Sequence, residues 1–428
     1  MKFGTSGLRG LATDLLGPRT AGYAKAFARR LFDTGQARPG DRVFIGRDLR
    51  DSSAAISALC EGVLAEAGLD IVDCGELPTP ALAGYAWSNR AAALMVTGSH
   101  IPADRNGVKF FLPDAEIGKD DEAAITAAVE AGDFPDGPPA GGRGSVRRGE
   151  AEALAWYRGR GGGMATENVL SGMRVGVYQH SSVARDFLAD LLKSLGAVVL
   201  PLGRTPHFVA VDTEAVPLET LRTFASWAGE HRLDAIVSTD GDGDRPLIAD
   251  ETGTQLRGDV IGLATARMIG ADLVVTPVTS NSGINADLGF DVLRTRVGSP
   301  YVIGAMREAA AMDGKIVVGF EANGGFILGS SFERGGLKAT ALPTRDAILP
   351  ILAVLQSARR AEMPLSVLAA QWALPVSASD RLEHFAAERS QALMKRLSGG
   401  NGALAQFLSP LGEIVSVDRT DGLRATLA

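Results

Sequence analysis

A short apolar run, a glycine-bearing turn and an amphipathic helix follow one another repeatedly along this chain. That rhythm restricts the fold more than any other feature. Residues 43–46 read as a strand, followed by Arg47-Asp48-Leu49-Arg50-Asp51-Ser52-Ser53. Apolar positions at Ile56, Leu59, Cys60, Val63, Leu64 and Ala67 then mark one face of a helix. Ser52 or Ser53 is placed to cap it, Gly68 to stop it, and Ile71 and Val72 open the next strand. The cycle returns with a strand at 173–178, a helix at 183–195 and a strand at 197–202. Residues 91–96, 235–238, 273–278 and 315–318 read as further strands. Such alternation predicts α/β layers around largely parallel sheets.

Two stretches break the rhythm. Residues 132–149 are rich in Gly and Pro, and their arginines Arg143, Arg147 and Arg148 read as a solvated loop. Residues 358–364 look like a hinge before a more polar last segment, and a further boundary falls near 250–258. The net charge of -7 gives no general attraction to nucleic acid or anionic membrane. With only Cys60 and Cys74, a disulfide scaffold and a cysteine-rich zinc site are excluded. The longest apolar stretch, 347–355, is broken by Pro350 and falls far short of the roughly 18 residues of a membrane span. The first residues lack the apolar core of a signal peptide, so a soluble cytoplasmic protein is expected.

The sharpest chemical signal is Asp240-Gly241-Asp242-Gly243-Asp244-Arg245, directly after a predicted strand. Carboxylates at every second position point the same way and repel unless a cation lies between them. All-oxygen ligands favour Mg²⁺, Mn²⁺ or Ca²⁺. An EF-hand does not fit: its sixth position needs Gly and holds Arg245, and its ninth is Ile248. A second signal is Thr97-Gly98-Ser99-His100-Ile101-Pro102, which fails the nucleophile-elbow pattern of serine hydrolases yet presents Ser99 after a strand. A third is Gly319-Phe320-Glu321-Ala322-Asn323-Gly324-Gly325, where Glu321 and Asn323 suit bonding to neighbouring hydroxyls. Each follows the carboxyl end of a predicted strand, where open α/β sheets bind ligands. All three can therefore share one cleft.

In this order the residues resemble the α-D-phosphohexomutases, the superfamily of phosphomannomutase, phosphoglucomutase and phosphoglucosamine mutase. Phe3-Gly4-Thr5-Ser6-Gly7-Leu8-Arg9-Gly10 resembles the N-terminal F-G-T-x-G-x-R-G signature. The Ser99 turn resembles the phosphoserine loop T-[AG]-S-H-N-P, with Ile101 in place of Asn. Asp240 to Arg245 matches the metal loop D-G-D-G-D-R, and the third signal resembles the sugar loop G-E-x-S-G, with Asn323 where Ser is common.

The resemblance implies three related α/β domains at 1–140, 150–252 and 253–360, then a smaller C-terminal α+β domain at 364–428. It implies one Mg²⁺ on Asp240, Asp242, Asp244 and a phosphate oxygen of phosphorylated Ser99. It places Arg245 on the phosphoryl group, and Arg9, His100 and Lys109 beside the transferring phosphate. Glu321 and Asn323 would hold sugar hydroxyls, and Gly298, Ser299 and Tyr301 would belong to another substrate-facing loop. The activity implied is reversible phosphate transfer between O6 and O1 of a hexose phosphate through a 1,6-bisphosphate. Mannose 6-phosphate is favoured over glucose 6-phosphate on overall resemblance. The partner is then a small hexose phosphate, bound by a monomer or small homo-oligomer.

The family's last domain also carries a phosphate-gripping loop, R-x-S-[GN]-T-x-P, and no such run occurs here. Asp421-Gly422-Leu423-Arg424 resembles the strand that precedes it, so a shortened last domain is expected. A weakened phosphosugar-binding protein and a Mg²⁺-dependent phosphatase are the competing readings. The intact Ser99, Lys109 and aspartates favour the transferase.

Overall fold

The computed structural model describes every residue except 5–6, 133–141, 286–287, 311–313, 335 and 379–384. Thr5 and Ser6 of the N-terminal signature and much of the glycine-rich stretch after Gly132 therefore lie outside the described residues.

Three sheets share one plan. In the first, the strands Arg42–Arg47, Asp70–Glu76, Ala92–Val96 and Arg105–Phe111 follow in chain order. The second uses Arg174–Tyr178, Val198–Leu202, Ala235–Thr239 and Pro246–Ala249. The third uses Leu273–Pro277, Asp291–Thr295, Val317–Phe320 and Phe326–Leu328. In every sheet the spatial order is fourth, third, first, second. The first strand runs parallel to the second and third, and the fourth turns back antiparallel on the third. The expected parallel character thus holds for three strands of each set. The fourth is antiparallel because only a short turn joins it to the third, too short for a crossover helix. Those three tight turns are the three loops singled out in the sequence.

Local differences have local causes. The strand expected at 315–318 is Val317–Phe320, and the helix expected at 183–195 is Arg185–Ser194. Ser52 stands at the N-cap of helix Ser53–Glu66 but makes no side-chain cap bond. Ser53 instead donates to buried Asp48 at 2.5 Å, and both hydroxyls accept from Asn106 at 2.9 Å. The end of the glycine-rich stretch is a strand rather than a loop: Val146–Arg148 adds to the edge of the first sheet beside Asp70–Glu76. Asp70 steers it there by accepting from the amide and hydroxyl of Ser145 at 2.7 and 2.8 Å. Its side chains are solvated, as expected for Arg147 and Arg148.

One apolar core joins the sheets. The apolar stretch after Asp346 forms the helix Ile348–Ala361, nearly all buried and packed on helix Gly258–Ile269. Phe44, Leu82, Tyr157, Leu188, Phe320 and Leu352 belong to the same buried cluster. The loops at the sheet ends are held relative to one another by that shared interior, which packs as densely as an organic crystal. The last segment carries helices Ala387–Ser398 and Asn401–Leu408 and a hairpin of Ile414–Asp418 with Arg424–Leu427. It docks on the third sheet's loops: Asp421 accepts from the Val297 amide at 2.8 Å, and Arg424 donates to the Val278 carbonyl at 3.0 Å. Among the described residues no helix is long and apolar enough to cross a membrane.

Candidate active site

The Ser99 turn leaves the strand Ala92–Val96 in a conformation that an L residue rarely adopts. Ser99 has φ +54° and is almost wholly buried. Its amide is caught by Thr97 Oγ1 at 2.8 Å, and Thr97 in turn donates to Asp48 at 2.7 Å. The turn wraps around one side chain. Arg50 donates to the carbonyls of Ser99, Ile101, Pro102 and Arg105 at 2.9, 2.6, 2.7 and 2.8 Å, and its Nε to Asp48 at 3.2 Å. Gly98 is required for that embrace, since a Cβ there would lie 2.7 Å from the Arg50 guanidinium carbon.

The metal-loop candidate meets Ser99 across the sheet ends. Ser99 Oγ donates to Asp240 Oδ2 at 2.7 Å. Gly243 takes φ +74°, which lets the backbone curl and brings Asp244 N within 3.2 Å of Asp240 Oδ1. Asp240, Asp242 and Asp244 are all buried, and one oxygen of each lies within 4.8 Å of the others. Thr79 from the first region donates to Asp242 at 2.5 Å, and its amide bonds the Asp242 carbonyl at 2.9 Å. Asp242 Oδ1 and Asp244 Oδ1 are buried without a hydrogen-bond partner. Carboxylate oxygens at that depth without hydrogen bonds are costly, and the trio could hold a divalent cation that prefers hard oxygen ligands.

Cations ring these carboxylates. Lys109 Nζ donates to Asp242 and Asp244 at 2.6 and 2.8 Å. Arg345 donates through Nε and Nη2 to Asp244 at 3.1 and 2.8 Å, and through Nη1 to Glu321 at 3.3 Å. Burial, with Asp242 and Asp244 alongside, pushes the Asp240 carboxyl well above its usual range. Burial acts the same way on its two neighbours, but Lys109 keeps Asp242 low, and Arg345 with Lys109 keeps Asp244 lower still. Lys109 loses to burial and gains more from the two aspartates, so its ammonium is held above its ordinary value. Burial, followed by the charges of Arg245 and Arg345, pulls the Arg9 guanidinium down, against Asp242 and Asp244. Arg245 is buried, and its Nε makes no hydrogen bond but pairs with Asp244 Oδ1 at 3.8 Å. His100 Nδ1 lies 3.4 Å from Ser99 Oγ, and burial followed by the Arg245 charge pushes its imidazole down to about 4.

The structure thus gathers Ser99, His100, Lys109, Asp240, Asp242, Asp244, Arg245 and Glu321, with Arg9 in the same field. Asn323 is tied differently: its Oδ1 accepts from the Gly325 amide at 2.9 Å, closing the sugar-loop turn, and its carbonyl accepts from Thr213. Gly298 has φ +121°, and Ser299, next in line, is buried with its hydroxyl unpaired at the start of helix Ser299–Ala310. Pro300 shares a small cavity with Lys109 and Gly7, whereas the Tyr301 ring is exposed beside Arg296. Sequence reasoning missed Arg50, Thr79 and Arg345. For Arg345 a signal existed: Thr344-Arg345-Asp346 is a polar triplet at the mouth of a long apolar run.

A phosphoserine-type turn, a buried aspartate trio and a sugar-type loop on three like-ordered sheets define an intramolecular phosphotransferase of the phosphohexomutase class. Phosphoglucomutase/phosphomannomutase α/β/α domains I, II and III match residues 1–136, 164–253 and 257–374. The chain belongs to the phosphoglucomutase/phosphomannomutase family. It is 52% identical over 427 residues to the phosphomannomutase of Sinorhizobium fredii, covering 99% of this chain and 90% of that protein. It is 40% identical over 439 residues to the phosphomannomutase of Salmonella muenchen, covering 100% of this chain and 87% of that one. A solved phosphoglucomutase/phosphomannomutase family structure from Burkholderia thailandensis shares the fold at TM-score 0.74 and 21% identity, covering 99% and 88% of the two chains.

Proposed function

We propose that this phosphohexomutase interconverts mannose 6-phosphate and mannose 1-phosphate, with Ser99 as the phosphoryl carrier. The observation that carries the reading is the Ser99 hydroxyl set 2.7 Å from Asp240 inside a ring of buried aspartates and cations. The preference for mannose rests on the two phosphomannomutase relatives.

In this reading a phosphoryl group on Ser99 Oγ passes to the free hydroxyl of the bound hexose phosphate. The Oγ–P bond breaks as the sugar O–P bond forms, and the hydroxyl proton ends on Oγ. His100, 3.4 Å away, is the nearest ring to relay it. The resulting 1,6-bisphosphate turns round and returns its other phosphoryl group to Oγ, whose proton goes to the sugar oxygen released. Phosphoryl transfer needs positioning and neutralised charge more than covalent help, and Arg9, Lys109 and Arg245 provide charge at the oxygens. Asp240, Asp242, Asp244 and a phosphate oxygen on Ser99 would hold Mg²⁺, which supplies Lewis-acid stabilisation of the same charge. Glu321 takes a sugar hydroxyl. Cytoplasmic residence agrees with the two unpaired, buried thiols Cys60 and Cys74.

The test is ³¹P NMR with Mg²⁺, mannose 1-phosphate and a trace of hexose 1,6-bisphosphate. Growth of the mannose 6-phosphate resonance is expected, and it should vanish in Ser99→Ala. Release of inorganic phosphate instead would establish a phosphatase, and faster turnover of glucose 1-phosphate would move the assignment to phosphoglucomutase.

A further inference from the structure

The triplet Thr344-Arg345-Asp346 ends the strand Leu342–Asp346 at the edge of the third sheet. Successive side chains leave a strand on opposite faces, and here both faces are engaged. Thr344 donates to Glu116 at 2.6 Å. Asp346 accepts from Tyr157 at 2.7 Å, from Arg160 at 3.4 Å and from the Ile348 amide at 2.9 Å. These bonds pin the strand to the first region and to the helix Glu150–Gly163. Arg345, buried between them in sequence, turns the other way into the site.

There its guanidinium spans two loops. Nε and Nη2 take Asp244 Oδ2, and Nη1 takes Glu321 Oε2. Lys109 shares that same Asp244 oxygen, while Asp244 Oδ1 makes no hydrogen bond and faces Arg245 Nε at 3.8 Å. The sugar loop is shaped to admit the arginine: a Cβ on Gly325 would stand 2.5 Å from Arg345 Cδ. Without the guanidinium, Asp244 would keep Lys109 and Arg245, whereas the Glu321 carboxylate would lose the cation that ties it to the metal loop.

We infer that Arg345 is a positioning residue that sets the Glu321 carboxylate for a hexose hydroxyl and ties it to the metal-loop carboxylate Asp244. The inference rests on Glu321 being the hydroxyl-binding residue. Arg345 acts through Glu321, so its removal should matter only while Glu321 is intact.

A double-mutant cycle decides it. The dissociation constant of mannose 1-phosphate is measured by titration calorimetry on metal-free protein, so no turnover enters the reading. Arg345→Met should weaken binding about tenfold in the otherwise unaltered chain and less than about twofold in the Glu321→Gln background. Losses that multiply, or an Arg345→Met protein that binds the sugar normally, would overturn the inference and leave the proposed activity standing. Failure of the unaltered protein to bind mannose 1-phosphate would overturn both, and the NMR assay shows that outcome separately. If Arg345→Met does not fold, as judged by circular dichroism melting, Arg345→Lys enters the same cycle. Its ammonium keeps the charge but cannot span both carboxylates, and the same non-additivity is expected.

Discussion

Replacing Arg50 by Met should free the Ser99 turn without touching any residue that meets substrate. The guanidinium bonds four carbonyls of residues 99–105, and it pairs with buried Asp48 at 3.2 Å. It also lies 4.0 Å over the Phe208 ring of the second region. Removing one partner of a buried charged pair costs about 3–5 kcal/mol. The left-handed backbone at Ser99 releases about 1–2 kcal/mol when the turn relaxes, which adds to the drive to open. Asp48 keeps bonds from Ser53 and Thr97, so the damage should stay local. At about 1.4 kcal/mol per tenfold, an opening made easier by about 4 kcal/mol speeds amide exchange roughly a thousandfold. The amides of Ser99, Ile101 and Arg105, bonded to Thr97 Oγ1, Gly98 O and Pro102 O, are the reporters. Hydrogen–deuterium exchange read by mass spectrometry on peptides covering 97–105 measures it, with peptides of the third sheet as control. Exchange within about threefold of the unaltered protein would refute the clamp.

Three further outcomes are expected. Lys109→Met removes the ammonium bonded to Asp242 and Asp244 and should lower kcat for mannose 1-phosphate by about 10²–10³; an unchanged kcat would count against Lys109 as a charge-neutralising group. His180 is fully buried against the Thr239 carbonyl, with Arg185 as the charge facing it, and burial pushes its imidazole down from 6.5 to about 4. The unfolded chain therefore takes up the proton first, so this group removes stability as pH falls from about 6.5 to about 4, on the order of 3 kcal/mol in all. A melting-temperature profile in His180→Gln should be flatter over that window, and parallel profiles would refute it. Burial pushes the Cys60 and Cys74 thiols up to about 12, so neither should react with a thiol reagent at neutral pH until the chain is denatured; rapid native labelling of either would contradict their placement.

The strand–turn–helix cycle was legible because burial on both faces of a parallel sheet demands runs such as Val43-Phe44-Ile45 and Leu273-Val274-Val275. The Ser99, Asp240 and Glu321 turns were legible because glycines and polar side chains directly after such runs have little packing role. The antiparallel fourth strands were not, since a turn and a crossover start with the same kinds of residue. Ser52 takes the N-cap position expected of it, but its hydroxyl accepts from Asn106 and the neighbouring Ser53 hydroxyl goes to buried Asp48, so no side-chain cap bond forms. The resemblance implies Asn323 as a sugar ligand; what only the structure adds is that its side-chain Oδ1 accepts from the Gly325 amide and closes its own turn.

By itself the sequence determined which loops carry chemistry, because periodic burial and side-chain type are local properties written residue by residue. The tertiary structure alone decided which of those groups act on one another. Thr79 meets Asp242 across 163 residues, Ser99 meets Asp240 across 141, and Arg345 meets Asp244 across 101. No local pattern encodes such pairings. They exist because one apolar core packs three like-ordered sheets, bringing their strand ends, and the charges mounted there, into a single cleft.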